Sequence, residues 1–137
     1  MQKALENLKD ILTSKGLTLV GKNGENIFTS NQRGVKPLLE LIENGSFSRG
    51  IFADKVVGKS AALLYCVLNA KGVYALTVSK PALEVFLSRG VFIKYDLLVE
   101  RIENRTKDGL CPIEQCVINE DNPLVALKLI NDRLKKL

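Results

Sequence analysis

The amino-acid sequence predicts a three-layer α/β/α sandwich around a mixed sheet of about five strands. From residue 50 onward, short apolar segments typical of buried strands alternate with helical patterns, as expected for parallel strands joined by crossover helices. An Asn23-Gly24 step between two β-rich runs adds an N-terminal hairpin, which makes one edge of the sheet antiparallel. A length of 137 residues, 46% of them hydrophobic, fits a single domain over 1–137.

The N-terminal third is predicted to form a helix, a hairpin and a second helix. Residues 2–15 carry apolar side chains at helical spacing, and Gly16 follows as a helix C-cap. Residues 17–21 and 25–29 are the two hairpin strands. Residues 37–43 read as a short helix, because Pro37 suits a first helical turn and Gly45 follows its end.

The rest of the chain supplies the predicted parallel strands and their covering helices. The patterns indicate strands at 50–53, 73–78 and 91–94, and helices at 60–71, 80–89 and 96–103. A polar loop at 104–110 is of the kind that carries function. A helix then begins within 111–118, and the Asp121-Asn122-Pro123 cap precedes a terminal amphipathic helix.

Composition limits the classes of function. The net charge of +5 is spread along the chain and only 6% of residues are aromatic, which argues against a nucleic-acid partner. No apolar run approaches the roughly 20 residues of a membrane span, and the first residues lack the apolar core of a signal peptide. Three cysteines indicate reduced thiols in a cytoplasmic protein. Because the chain has no histidine, Ser-His-Asp and Cys-His mechanisms are excluded.

The segment 53–60, Ala-Asp-Lys-Val-Val-Gly-Lys-Ser, is one residue from the phosphate-loop pattern, with Ala53 in the place of the first glycine. Two adjacent valines stand where a loop that wraps phosphates needs glycine, which argues against a nucleotide triphosphatase. A looser anion site remains, because backbone N–H groups and a lysine meet at the helix start Gly58-Lys59-Ser60. The alternative is that Gly58 serves close packing and Lys59 is solvated.

A second helix start follows at Cys111-Pro112-Ile113-Glu114. A thiol at a helix N-terminus is expected to have a lowered pKa, because the helix dipole favours the thiolate. Glu114 stands three residues later, as in a capping box, and can instead raise that pKa. Cys111 is therefore either a reactive thiol or only a capping residue. Cys66 and Cys116 are expected in the core.

Four segments together resemble a small prokaryotic family of unknown function: residues 30–39, 53–62, 104–105 and 111–114. That family is placed in the cytidine deaminase-like fold, among members that lack the deaminase metal site. The resemblance implies a mixed five-stranded sheet between helices and no established reaction. It also implies that a pocket lies near the helix starts at Gly58 and Cys111.

Zinc chemistry is not expected. A zinc deaminase needs His or Cys, a Glu two residues later, and Pro-Cys-x-x-Cys. Cys111 and Cys116 have a different spacing and no histidine is present. We therefore predict no metal, no cofactor and no zinc-dependent deaminase activity.

The leading hypothesis is a binder of a small anionic ligand, a nucleotide or nucleoside derivative, held between the two helix starts. Its predicted ligand-binding residues are Lys55, Gly58, Lys59, Ser60, Asn104 and Arg105.

Two alternatives belong to other classes of protein. In the first, the chain is an enzyme that uses Cys111 as nucleophile or redox centre, with Asp54 or Glu114 moving a proton. In the second, it is a non-catalytic homo-oligomeric module that associates through an edge strand or the apolar face of the terminal helix.

Overall fold

A computed structural model describes residues 1–103 and 109–137 of the chain. Within these ranges the backbone forms, in chain order, α1 (Gln2–Ser14), β1 (Leu19–Asn23), β2 (Asn26–Ser30), α2 (Lys36–Asn44), β3 (Ile51–Val57), α3 (Lys59–Val67), β4 (Gly72–Ser79), α4 (Lys80–Arg89), β5 (Phe92–Val99), α5 (Pro112–Cys116) and α6 (Pro123–Lys135).

The strands form one mixed sheet in the order β2-β1-β3-β4-β5. Strand β1 is antiparallel to both β2 and β3, whereas β3, β4 and β5 are parallel. The β1–β2 turn contains Gly24 at φ +61°, a left-handed conformation that glycine adopts without strain. The predicted mixed sheet of five strands, with an antiparallel hairpin at one edge, is confirmed.

Apolar side chains fill the space on both faces of the sheet. On one face, the helical spacing of Leu5, Leu8 and Leu12 buries one side of α1 against Val20 and Ala53. On the other face lies a larger core to which α2, α3, α4 and α6 contribute. Helix α3 is the most buried helix, because nearly every side chain from Ser60 to Tyr65 is enclosed. The arrangement is that of the predicted three-layer α/β/α sandwich.

Strand β3 is longer than predicted. It runs to Val57 instead of ending at residue 53, and Val56 and Val57 pair with Thr77 and Val78 of β4. The segment 53–60 is therefore mostly strand and not a phosphate-wrapping loop. The two valines explain the difference, since β-branched residues favour a strand that a buried neighbour can pair.

The predicted helix at 96–103 is wrong. Strand β5 continues through Val99, with Leu97 opposite Thr77 and Val99 opposite Ser79. The available hydrogen-bonding edge of β4 outweighs the local helical pattern, because tertiary pairing overrides weak propensity. Helix α4 has the predicted bounds, whereas α3 and α5 are shorter than predicted.

Most of the predicted functional loop lies outside the described residues, which stop at 103 and resume at 109. In the two described ranges, no helix combines the length and the apolar character that crossing a bilayer requires.

Candidate functional site

A cleft of about 640 Å³ opens at the carboxyl ends of the parallel strands. Its walls come from the end of β4, the start of α3, one side of α4 and the segment that follows β5. In open α/β sheets this edge is where ligands bind. The lining residues are Lys59, Ser79, Pro81, Glu84, Val85, Ser88, Arg89, Arg101, Ile102, Leu110, Glu114, Ile118 and Asp121.

The start of α3 is held by the carboxylate of Glu114. The backbone N–H groups of Lys59 and Ser60 donate to its two oxygens at 2.7 and 2.8 Å, and the Ser60 hydroxyl donates to one of them. Glu114 lies in the first turn of α5 and is 8% exposed. Its negative charge is compensated by the N-terminal dipole and the free N–H groups of α3.

Gly58 makes this contact possible. A Cβ atom at position 58 would overlap the Glu114 carboxylate and would lie 2.9 Å from Cγ1 of Ile102. The backbone of Gly58 is extended, with φ −95°. Position 58 therefore requires glycine because of space and not because of its backbone angle.

Lys59 crosses from α3 to the loop between α5 and α6. Its ammonium group lies 3.1 Å from a carboxylate oxygen of Asp121 and donates to the carbonyl of Ile118, also at 3.1 Å. Arg89, in the last turn of α4, donates to the carbonyl of Asp121 at 2.9 Å. These bonds tie α3 and α4 to one loop, which closes one side of the cleft.

Asp54 lies in β3 and contacts the C-terminal half of α3. The hydroxyl of the fully buried Tyr65 donates to it at 2.6 Å. Burial raises the pKa of Asp54 to about 7, against the opposing hydrogen bonds from Tyr65 and from the backbone of Val56 and Lys55. Burial likewise raises the pKa of Tyr65 well above its usual value. This pair does not line the cleft.

Cys111 is the N-cap residue of α5 and packs, half-buried, against the large core. Its carbonyl accepts the N–H of Gln115 at 3.0 Å. The other two cysteines behave as core thiols, because burial raises the pKa of both Cys66 and Cys116. No disulfide joins the three, and each is partly buried.

Comparison with known protein families matches residues 7–134 to TM1506, a domain of unknown function (DUF1893). The chain belongs to the DUF1893 family. The crystal structure of a DUF1893 family protein (TM1506) from Thermotoga maritima is similar over 100% of this chain and 92% of its own, with a TM-score of 0.85 and 28% sequence identity. No curated protein matches the chain. The predicted membership of a family of unknown function is confirmed, and the deaminase-like fold stays a prediction.

This DUF1893 domain brings together only part of the residues predicted from its sequence. Lys59 and Glu114 line the cleft. Gly58 and Ser60 are not part of the lining, but both lie against Glu114. Outside the lining are Asp54, Cys111 and the exposed Lys55, and Asn104 and Arg105 lie outside the described residues.

Sequence reasoning missed the cleft residues of α4 and the segment after β5, above all Glu84, Arg89 and Arg101. A signal for Arg89 is visible in the sequence, where it ends a helical pattern just before Gly90, but the same position also suits the helix dipole. In the described part of the DUF1893 domain, no three Cys, Asp or Glu side chains group as metal ligands.

Proposed function

We propose that this DUF1893 domain is a cytoplasmic binder of a small anionic molecule, of the nucleotide or nucleoside-derivative class, and that the ligand occupies the cleft. The observation that carries the proposal is that Lys59, Arg89 and Arg101 line one cavity at the carboxyl ends of parallel strands. Its volume of about 640 Å³ is in the range of small-molecule sites.

The charges of the lining favour the two arginines as anion contacts. The Glu114 carboxylate is already bound by the start of α3, and Lys59 is paired with Asp121. Among the described charged lining residues this leaves Arg101 and Glu84 without a charged partner, together with Arg89, which gives one N–H to the Asp121 carbonyl and keeps its other donors. A guanidinium group binds a phosphate or carboxylate through two parallel hydrogen bonds, which suits one anionic group on the ligand.

The apolar part of the lining supports a ligand that also carries a ring. Side chains of Pro81, Val85, Ile102, Leu110 and Ile118 form this part of the wall. A mixed cleft of this kind, with apolar walls and a few polar groups, is typical of sites for small organic molecules. Inorganic phosphate alone would leave the apolar wall unused.

The N-terminus of α3 contributes less to ligand binding in this proposal than in the hypothesis from the sequence. The N–H groups of Lys59 and Ser60 donate to Glu114, so a ligand at α3 would have to displace that carboxylate. Asn104 and Arg105 stay predicted ligand contacts, since they lie in the sequence between the lining residues Ile102 and Leu110.

Thermal unfolding with a panel of nucleosides, nucleoside monophosphates and inorganic phosphate tests the proposal. We expect at least one nucleoside monophosphate to raise the Tm and R89A and R101A to abolish that rise. Losing a charged hydrogen bond of about 1.5–3 kcal/mol weakens binding at least about tenfold. The matched control is K128A, at an exposed position of α6 outside the cleft. An unchanged Tm across the panel, in the wild type and in both arginine variants, would refute the proposal.

The enzyme alternative depends on Cys111 alone. The rate at which Cys111 is alkylated, measured as a function of pH, shows whether its thiolate forms at neutral pH. The C111S variant gives the signal of Cys66 and Cys116, which is subtracted. A midpoint well below about 8.5, the value of a free thiol, would support a nucleophile or redox centre. A midpoint at or above it leaves Cys111 as a capping residue.

The finer fold assignment, a cytidine deaminase-like sandwich without the zinc site, is also a proposal. The mixed sheet with its antiparallel hairpin edge and the four family-like segments support it. We expect protein purified without chelator to carry no stoichiometric zinc and not to deaminate free cytidine or adenosine. Near-unit zinc per chain in elemental analysis, lost in C111S, would show this wrong.

A further inference from the structure

Strand β5 forms one edge of the sheet and exposes apolar side chains. Phe92 is 43% exposed and Leu97 is 56% exposed, and Tyr95 and Leu98 are exposed as well. Within residues 1–103 and 109–137, no strand pairs with the outer side of β5. Natural proteins protect long apolar edges, because unpaired N–H and C=O groups there accept another strand.

We propose that the outer edge of β5 pairs antiparallel with β5 of a second copy of this chain, with the two Tyr95 residues facing each other on the twofold axis. The two sheets then form one continuous sheet across the dimer. This inference is independent of the ligand proposed above, since the cleft and the β5 edge are tested by different measurements.

The backbone restricts the possible pairings. The N–H of Phe92 donates to the carbonyl of Lys71, so the backbone groups of Phe92 face β4. The direction of the backbone N–H and C=O groups alternates from residue to residue along a strand. The backbone groups of Lys94 and Asp96 therefore also point toward β4. Those of Ile93, Tyr95 and Leu97 point away from the sheet. In an antiparallel pair, outward-facing residues bond only to each other, so the register can shift only in steps of two residues.

The charges of β5 select one register among those allowed. With Tyr95 opposite Tyr95, Lys94 of each copy lies opposite Asp96 of the other, and Phe92 lies opposite Leu98. The neighbouring allowed registers place Lys94 opposite Lys94, or Asp96 opposite Asp96. Opposite charges across a strand pair stabilise it and like charges destabilise it. The strand is therefore complementary to itself in a single register.

The side chains on the two faces fit the same arrangement. Lys94 binds Glu6 at 2.7 Å and Asp96 binds Lys9 at 3.1 Å, so both lie on the α1 face. The proposed cross-strand pairs join these two ion pairs into a row of alternating sign. On the opposite face, Tyr95 and Leu97 would be covered by their counterparts, which removes exposed apolar surface from water.

Light scattering on the full chain measures the predicted dimer. We expect a particle of twice the 15.1 kDa chain mass. Y95K places two like charges on the twofold axis and should give the mass of a single chain with a retained unfolding transition. The control is I27K on β2, the other edge strand, where Ile27 is 55% exposed. I27K should keep the double mass.

A charge exchange tests the register. K94E alone places carboxylates opposite Asp96 and should weaken the dimer at least about tenfold. The quadruple variant E6K/K9E/K94E/D96K reverses all four charges, so it restores both the cross-strand pairs and the intrachain pairs with α1, and it should recover the double mass. If the quadruple variant is as weak as K94E, the proposed register is wrong.

Amide hydrogen exchange on the wild type gives a measurement that needs no variant. The N–H groups of Ile93, Tyr95 and Leu97 should exchange at least about tenfold more slowly in the dimer than a free edge allows. A single-chain mass at every concentration, rapid exchange at these amides, a dimer that persists in Y95K, or its loss in I27K would each overturn the proposal.

Discussion

Two aspartate–tyrosine pairs lie on opposite faces of the sheet, and each is joined by a short hydrogen bond. The hydroxyl of Tyr65 donates to Asp54 at 2.6 Å on the face covered by α3, and that of Tyr74 donates to Asp96 at 2.5 Å on the face covered by α1. Burial raises the pKa of Asp54 to about 7. The hydrogen bond from Tyr74, with the nearby ammonium of Lys9, lowers the pKa of Asp96.

The two pairs show that a tyrosine donor alone does not set the sign of a carboxyl pKa shift. Asp96 is 41% exposed and lies 3.1 Å from the Lys9 ammonium, so its charged form keeps water and a cation. No cation contributes to the pKa shift of Asp54. Loss of solvent therefore dominates on the α3 face, and hydrogen bonding with a cation dominates on the α1 face.

The largest expected effect is the pH dependence of stability that Asp54 causes. Because its folded-state pKa of about 7 lies above the unfolded value of 3.8, its contribution to stability is fully present below pH 4 and is lost as the pH rises through 7. D54N removes this titration, and the hydroxyl of Tyr65 can rotate to accept from the new amide. Measured by urea unfolding, the stability of D54N relative to the wild type should rise by about 2–4 kcal/mol from pH 4 to pH 8.

Y65F is the companion variant. It removes the donor but leaves the carboxyl group, so the rise of stability toward low pH should persist. A stability difference between D54N and the wild type that does not change with pH would contradict the raised pKa of Asp54.

An intermediate effect is expected at Glu114. This buried carboxylate contacts the start of α3 and accepts hydrogen bonds from three donors. E114A leaves two N–H groups of α3 without this acceptor and should lower the free energy of unfolding by about 2–3 kcal/mol. G58A should lower it by about 1–3 kcal/mol, because its Cβ overlaps the carboxylate.

The double variant G58A/E114A decides whether the two residues act through one contact. With the carboxylate absent, the added methyl group still meets Ile102, but its main overlap is gone. The double variant should therefore be about as stable as E114A. Fully additive losses in chemical denaturation would mean that Gly58 and Glu114 contribute separately.

The smallest effect is expected at Asp96. Because its folded-state pKa is lowered, it stabilises the protein above its unfolded pKa, and this contribution is lost as the pH falls through the folded value. The exposed position screens the interaction, so D96N should cost about 0.5 kcal/mol at pH 7 and nothing near pH 2. A loss as large as that of E114A would show that the α1 face is less solvated than its exposure indicates.

Local chemistry predicted much of the fold. The Asn23-Gly24 step predicted the hairpin, and Pro81 with Gly90 marked α4 to the residue. The apolar spacing of α1 predicted which of its sides is buried. Each of these signals lies within a few residues of the structure that it determines.

The candidate site could be predicted only in part, since its central contacts join distant segments. The sequence marked Gly58, Lys59 and Glu114 as important, but it could not show that Glu114 occupies the helix start 55 positions earlier in the chain. No sequence motif marks Arg89 and Arg101 as site residues. The cleft that they line lies between α4 and the segment after β5, and it forms only when these two parts of the chain pack together.

The sequence by itself determined most of the alternation of strands and helices, the hairpin edge and the ends of α1, α2 and α4, because caps, turns and apolar periodicity act over one or two turns of chain. Tertiary structure decided that residues 96–99 extend β5 and that the start of α3 is closed by a carboxylate. It also decided that Asp54 and Asp96 titrate in opposite directions. Strand pairing, burial and charge neighbours depend on residues that meet only after folding, so no local pattern encodes them.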